Sequence, residues 1–287
     1  MSVTNPRPQS ARERALALCL QAGAEPSPGD ARQEKLFAEL DSLLVGVDDT
    51  FTAWILEHPD FVPIRERLHA IRAEYEYVRE RDLARALVAA GDTSPLDKFR
   101  STDWYEQAHQ FELEALEPYA PRRVLVVGAG PFPTTAISLI RANPRTRVAC
   151  LELRAEAYTL ATQVARICEC PELEVIHADA LQMRDFSQYD CVLVGTVVGV
   201  SVAEKREVVE HFLEYVPAST LLILRTAIGP GRVVYPSVDL QQLAGIDYRV
   251  LYDPPQETFT MIITDRQLDG RIDGRADRHA SRRGGER

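Results

Sequence analysis

Hydrophobic positions along this chain follow two rhythms, and the change between them falls near residue 120. Up to there the spacing is helical. Leu36, Leu40, Leu43 and Leu44 recur every three to four residues, as do Leu68, Ile71, Tyr75 and Val78, the stripe of a helix with one buried face. Thr50 or Thr52 is expected to cap a helix starting between Phe51 and Trp54, and Pro59 and Pro63 interrupt before the next. A long helix is expected from Ile64 to Ala90, ended by Gly91-Asp92-Thr93-Ser94-Pro95. Residues 1–30 carry Pro6, Pro8, Pro26, Pro28 and Gly29 around one helical patch, Ala11 to Leu20, and read as a loosely attached leader.

From Arg122 onward short apolar runs replace the stripe. Val124-Leu125-Val126-Val127 and Val148-Ala149-Cys150-Leu151 are followed by strand candidates at Leu173–His177, Cys191–Val194, Thr220–Leu224, Tyr248–Leu251 and Thr258–Thr264. Helices are expected between several of them, over Thr134–Arg141, Ala155–Cys168 and Ala203–Tyr215. Continuous apolar strands alternating with helices predict a doubly wound, parallel α/β sheet with both faces covered. The last two strands, with no helix between them, predict a C-terminal hairpin. The organisation expected is a leader over 1–30, an all-α N-terminal domain over 31–117, a Rossmann-like α/β domain over 118–265 and a disordered tail over 266–287, whose Arg/Gly-rich text has no apolar face.

Composition narrows the function classes. The chain has 287 residues with 45% hydrophobic content and a formal charge of −10, enough apolar material for a sizeable core. Residues 30–117 alone hold 20 acidic and 10 basic side chains. An acidic body lacks the basic footprint that general nucleic-acid binding needs. No run of about 18 apolar residues that would span a membrane occurs, and Met1 to Pro8 has no apolar signal-peptide core. The five cysteines (Cys19, Cys150, Cys168, Cys170, Cys191) lack CxxC spacing, so reduced thiols and a cytoplasmic protein are expected. The six histidines never stand at metal-ligand spacing with one another, and no bound metal is expected.

Candidate chemistry sits at consecutive strand ends. Gly128-Ala129-Gly130 after the first strand makes a tight turn that a ligand can approach closely. Pro131 and Pro133 follow where a pyrophosphate cradle would have its third glycine, and Pro131 has no N–H to offer a phosphate. Such a loop suits a nucleoside better than a dinucleotide. Glu152 closes the second strand, 24 residues after Gly128, where an acid can hydrogen-bond a ribose diol. Asp179-Ala180, after the third strand, is placed to meet an adenine amino group. Together these features point to an S-adenosylmethionine site, although a lone Gly-x-Gly turn, a solvent-facing Glu152 or a turn-starting Asp179 would each be ordinary alone.

The segment Gly128-Ala129-Gly130-Pro131-Phe132-Pro133-Thr134-Thr135 resembles the loop of nicotianamine synthases and of their microbial relatives, the opine-metallophore synthases of the staphylopine and pseudopaline type. The resemblance covers residues 65–265. It takes in Tyr189 to Val194 with the following Gly195-Thr196-Val197-Val198-Gly199, then Glu204-Lys205, Leu222 to Ala227 and Val234-Tyr235-Pro236. Pro95-Leu96-Asp97, Phe99 and Asp103-Trp104-Tyr105 match a family stretch richer in tyrosine.

The resemblance implies transfer of the 3-amino-3-carboxypropyl arm of S-adenosylmethionine to an amine, with methylthioadenosine leaving. A carboxylate must take the acceptor's proton and a hydroxyl can orient its nitrogen. By motif these roles fall to Glu80 and Tyr105, with Glu76, one turn earlier, as the alternative base. A surface glutamate paired with neighbouring arginines is the ordinary reading of Glu80. The co-substrate is assigned to Gly128, Ala129, Gly130, Pro131, Phe132, Thr135, Glu152, Asp179, Ala180, Gly195, Thr196 and Val197. Arg225 and Tyr235 are assigned to substrate, Arg225 either through its fork on a substrate carboxylate or as one half of a structural ion pair.

Ser101 and Thr102 replace paired tyrosines of the family, and Ile228 stands where plant members have histidine. These departures put the acceptor in question. Histidine or a similar amino acid, giving a chelating product for metallophore biosynthesis, is the expected acceptor. An azetidine-2-carboxylate-forming cyclase, a non-catalytic S-adenosylmethionine-binding protein and a methyltransferase are the alternatives. The partner called for is a small-molecule acceptor; nucleic acid and membrane are not, and a homodimer is allowed.

Overall fold

The computed structural model describes residues 9–24, 30–95, 103–252 and 260–264. Among the described residues five helices come first: α1 (Gln9–Ala24), α2 (Ala31–Leu44), α3 (Asp49–Leu56), α4 (Arg65–Ala90) and α5 (Asp103–Leu116). Then follow β1 (Arg123–Val127), α6 (Thr134–Ala142), β2 (Arg147–Glu152), α7 (Ala155–Ile167), β3 (Leu173–His177), β4 (Cys191–Val194), α8 (Val202–Tyr215), β5 (Leu221–Thr226), β6 (Tyr248–Tyr252) and β7 (Thr260–Thr264). Among the described residues no helix is long and apolar enough to cross a membrane.

The strands form one seven-stranded sheet in the order β3-β2-β1-β4-β5-β7-β6. The first five are parallel, and β7 runs antiparallel between β5 and β6. This is the expected Rossmann-like sheet with its terminal hairpin. Its strands read as unbroken apolar runs because both faces are covered. Val124 and Val126 of β1 pack with Ile137 and Ile140 of α6 and Val164 of α7. Leu125 and Val127 point the other way, to a core with Val208, Val209 and Phe212 of α8. Crossing helices on opposite faces either side of β1 and β4 make a topological switch point, where a crevice opens at the carboxyl ends of the strands.

The N-terminal helices build their own core and then reach into the sheet. Phe37, Leu40, Phe51, Ile55 and Leu68 pack together with Val233 and Val234 from the segment after β5. Farther along α4, Leu83, Ala84 and Leu87 belong to the core that contains β1 and β2. Each buried leucine there contributes about 1.5–3 kcal/mol. One 26-residue helix therefore joins both cores. At its start Glu66 accepts from the Val202 amide of α8 at 3.1 Å, and His69 bonds the Arg232 carbonyl at 3.2 Å. Near its middle, Arg154, just before α7, pairs with Glu74 at 2.7 Å and stacks over Tyr77. Helix α4 thus bridges the crevice from α8 to α7.

Two expectations are corrected. Within the 1–30 leader, α1 is not loosely attached: Ala15, Leu18, Cys19 and Ala22 are buried against the N-terminal core, because four small or apolar residues share one helical face. The cap of α3 is Asp48, whose carboxylate accepts from the Phe51 amide at 2.7 Å. Asp48 displaces the expected Thr50 or Thr52; Thr52 instead returns its hydroxyl to the Asp48 carbonyl. Residues 266–287, together with Ser101 and Thr102, lie outside the described residues.

Candidate active site

A cavity of about 760 Å³ lies between the carboxyl ends of the parallel strands and the overlying α4. Its floor is the turn after β1. Gly128 and Gly130 have φ of +73° and +70°, the left-handed region in which a side chain is strained. Both positions are also crowded. A β-carbon on Gly128 would collide with the Val198 side chain, and one on Gly130 would collide with the Glu80 carboxylate. The loop therefore stays bare, and α4 and the loop after β4 close down on it.

Glu152, 7% exposed at the end of β2, holds this floor in place. One carboxylate oxygen accepts from the Gly130 amide and the other from the Arg154 amide, both at 2.9 Å. Each oxygen retains a lone pair for a ligand. Asp179 caps the short turn Ala180–Gln182 by accepting from the Leu181 amide at 2.9 Å. Gly128, Ala129, Gly130, Thr135, Glu152, Asp179, Ala180, Gly195, Thr196 and Val197 all line the cavity. Pro131 and Phe132 do not. Phe132 is 6% exposed and packs in the core beneath, since the loop turns inward after Gly130 to seed α6.

The roof is acidic. Glu76 and Glu80, one turn apart on α4, both line the cavity, but their surroundings differ. Glu76 accepts from Arg72 at 3.0 Å and from the Tyr235 hydroxyl. Arg72, 8% exposed, also donates to Asp41 at 3.1 Å and to the Tyr235 oxygen at 2.9 Å. This network of Asp41, Arg72, Glu76 and Tyr235 joins α2, α4 and the segment after β5. Glu80 makes no ion pair among the described residues. Burial first, then the charges of Glu76 and Glu152, push its carboxyl up to about 8, against the opposing pull of Arg225 and Arg79. The carboxylate form of a group set this way can take a proton near neutral pH.

Arg225, near the end of β5, pairs with the buried Glu112 of α5 and donates to the Thr135 hydroxyl at 2.7 Å. The ion pair, one of the two readings of Arg225, is present. Tyr105 stands seven positions before Glu112 on α5, and its side chain lies outside the described residues. Ile228 is half-buried and does not line the cavity.

The fourth wall is the loop between β4 and α8. Ser201 and Glu204 form a capping box at the start of α8. Lys205 is 3% exposed, and its ammonium donates to the carbonyls of Thr196 and Val198 at 2.6 Å each. Burial lowers its ammonium to about 7. Glu112, Arg72 and the contacts of Lys205 were not assigned from sequence. Glu204-Lys205 stood out there only as part of the resemblance, and nothing local marks Glu112 or Arg72. Among the described residues no group of His, Cys, Asp and Glu is arranged to hold a metal.

This architecture has solved counterparts. The chain aligns with a glutamate-to-glutamine mutant of MtNAS in complex with S-adenosylmethionine at a TM-score of 0.72, with 19% identity, over 90% of this chain and 98% of that one. MtNAS in complex with MTA and tNA aligns at 0.72 with 20% identity, over 89% and 96% of the two chains. These matches establish the shared fold. In sequence, Nicotianamine synthase 2 of Arabidopsis thaliana is 24% identical over 247 residues, covering 83% of this chain and 77% of the relative. The family model described as Nicotianamine synthase protein matches residues 20–270, and with that extent of match the chain belongs to the nicotianamine synthase family.

Proposed function

We propose that the protein transfers the 3-amino-3-carboxypropyl arm of S-adenosylmethionine to the amine of an amino acid, histidine or one like it, and releases methylthioadenosine. The reaction class, an S-adenosylmethionine-dependent aminocarboxypropyl transfer, is that of the family to which the chain belongs. MtNAS, which shares the fold, has been solved with S-adenosylmethionine and with MTA and tNA.

One observation carries the reading: Glu80 is a carboxyl held at about 8 against the glycine loop, inside a cavity where Glu76 is held by Arg72 and Tyr235, Glu112 by Arg225 and Glu152 by two backbone amides. An acceptor amine arrives as an ammonium and has no lone pair. Glu80 takes its proton, the freed nitrogen attacks the carbon next to sulfur, the C–S bond breaks and its electron pair leaves with methylthioadenosine. The residues that would hold the nucleoside are the bare turn at Gly128 and Gly130, Glu152 for the ribose and Asp179 with Ala180 for the adenine. Choice of the arm over the methyl group is a matter of placement. Glu76 and the Tyr235 hydroxyl, fixed by Arg72, face the same space and suit an acceptor amine. The finer roles of Tyr105 as orienting hydroxyl and of the product as a metal chelator belong to this proposal.

The test is incubation of the purified protein with S-adenosylmethionine, with and without histidine, followed by mass spectrometry. Methylthioadenosine together with an acceptor heavier by one C4H7NO2 unit is the expected result. Methylthioadenosine without an adduct would point to cyclisation to azetidine-2-carboxylate, and adenosylhomocysteine would overturn the reading in favour of methyl transfer.

A further inference from the structure

The wall made by residues 195–200 has a feature the transfer step leaves unused. Lys205 is a buried amine that makes no ion pair among the described residues; it donates to two backbone carbonyls, of Thr196 and Val198. Burying an ammonium without a counter-charge is costly, and a neutral donor would tether a loop as well. That cost lowers the ammonium to about 7, and an anion on the far side of the tethered peptides would favour the charged form.

Peptide geometry supplies a place for such an anion. Across a trans peptide the N–H points opposite to the C=O. With the Thr196 and Val198 carbonyls drawn to Lys205, the N–H groups of the same peptide units, those of Val197 and Gly199, point away from it, and both residues line the cavity. Most other amides of the loop are occupied. Gly195 donates to Val127, Val198 to Gly195, and Val200 and Ser201 to Glu204. The amides of Val197 and Gly199 have no protein acceptor among the described residues, and neither does that of Thr196. Gly199 has φ +77° and a β-carbon there would press on the backbone of Glu204 and Lys205, so the glycine lets the loop close on α8. Successive amides in such a turn form a concavity that binds anions, and an ammonium behind them adds positive potential.

We propose that the amides of Val197 and Gly199, aligned by the Lys205 ammonium, bind the carboxylate of the aminocarboxypropyl arm. The inference rests on the S-adenosylmethionine reading above. The rest of the cavity is a poor host for that carboxylate: Glu76, Glu80, Glu112 and Glu152 surround it, while Arg154 is paired with Glu74 and Arg225 with Glu112. Lys205 is then a positioning residue that acts through the peptide units.

The test is a comparison of three ligands on wild-type protein and Lys205→Met by calorimetry: S-adenosylmethionine, its decarboxylated analogue and methylthioadenosine. Lys205→Met is expected to weaken S-adenosylmethionine roughly tenfold or more, the scale of a charge-assisted hydrogen bond, and to leave the two ligands without a carboxylate within about threefold. Lys205→Arg should restore most of the difference. Equal losses for all three ligands, or no loss for any, would overturn the inference. If Lys205→Met does not fold, Val197→Pro removes one amide and keeps the lysine, and the same selective loss is required of it. Failure of wild-type protein to bind S-adenosylmethionine would instead overturn the functional reading.

Discussion

The carboxylate of Glu80 occupies the space that a β-carbon on Gly130 would need. The contact joins the middle of α4 to the turn after β1 and sets where the base stands. Gly130→Ala should therefore do two things. The left-handed backbone at this residue strains an alanine by about 1–2 kcal/mol, and the methyl displaces Glu80. Release of methylthioadenosine is expected to fall by roughly 10²-fold, in the range of losing a positioned base, while circular dichroism stays native. Full turnover in the Gly130→Ala variant would separate Glu80 from the reaction.

The pH profile follows from the same carboxyl. Glu80 must be ionised to accept a proton, and its burial beside Glu76 and Glu152 places that ionisation at about 8. kcat/KM, which reports the free enzyme, should rise from neutral pH and level off above about 8. The limb in kcat should lie lower, because a bound sulfonium favours the carboxylate. Glu80→Gln should remove the limb with nearly all activity.

Glu76 and Glu80 are told apart by the direction of a shift. The Glu76 charge helps raise Glu80, so Glu76→Gln should move the acid limb to lower pH and leave a working base. Arg72→Met, which strips Glu76 of its cation, should move the limb to higher pH. The loss of Arg72 should also destabilise the fold by about 3 kcal/mol, since Asp41, Glu76 and Tyr235 lose their shared donor. Rate profiles on the two variants decide the matter: a limb abolished by Glu76→Gln would make Glu76 the base.

Stability runs opposite to activity at Glu80. Its folded carboxyl titrates at about 8 against the ordinary 4.5, so the folded state binds the extra proton and the fold loses stability as pH rises from 4.5 to 8. Glu80→Gln removes that loss. Thermal melts of the free protein should show Glu80→Gln higher than wild type at pH 8 by a few degrees, about 2–4 °C per kcal/mol, and the two alike at pH 4.

Much of this site was legible in the sequence because its parts are local. The apolar runs, the Gly128–Gly130 turn and the acids at the strand ends report their own surroundings within a few residues. Glu80 was legible only through family resemblance, since a glutamate on a charged helix carries no local mark of burial. That Phe132 is buried in the core and that neither it nor Pro131 lines the cavity was not legible, because a loop's sequence does not reveal where it turns into the core. Glu112, Arg72 and the contacts of Lys205 depend on partners elsewhere: Arg72 meets Tyr235 across 163 residues, and Arg225 meets Thr135 across 90.

The sequence by itself determined a helical half, a doubly wound sheet and a nucleoside-type turn, because hydrophobic period and backbone permissiveness are written residue by residue. Tertiary structure alone decided the chemistry of the carboxylates. Glu76 and Glu80 are the same residue one helical turn apart. The first accepts hydrogen bonds from Arg72 and Tyr235, while α4 presses the second onto Gly130, with no ion-pair partner among the described residues. Burial and neighbouring charge set a pKa, and both exist only after the chain has folded.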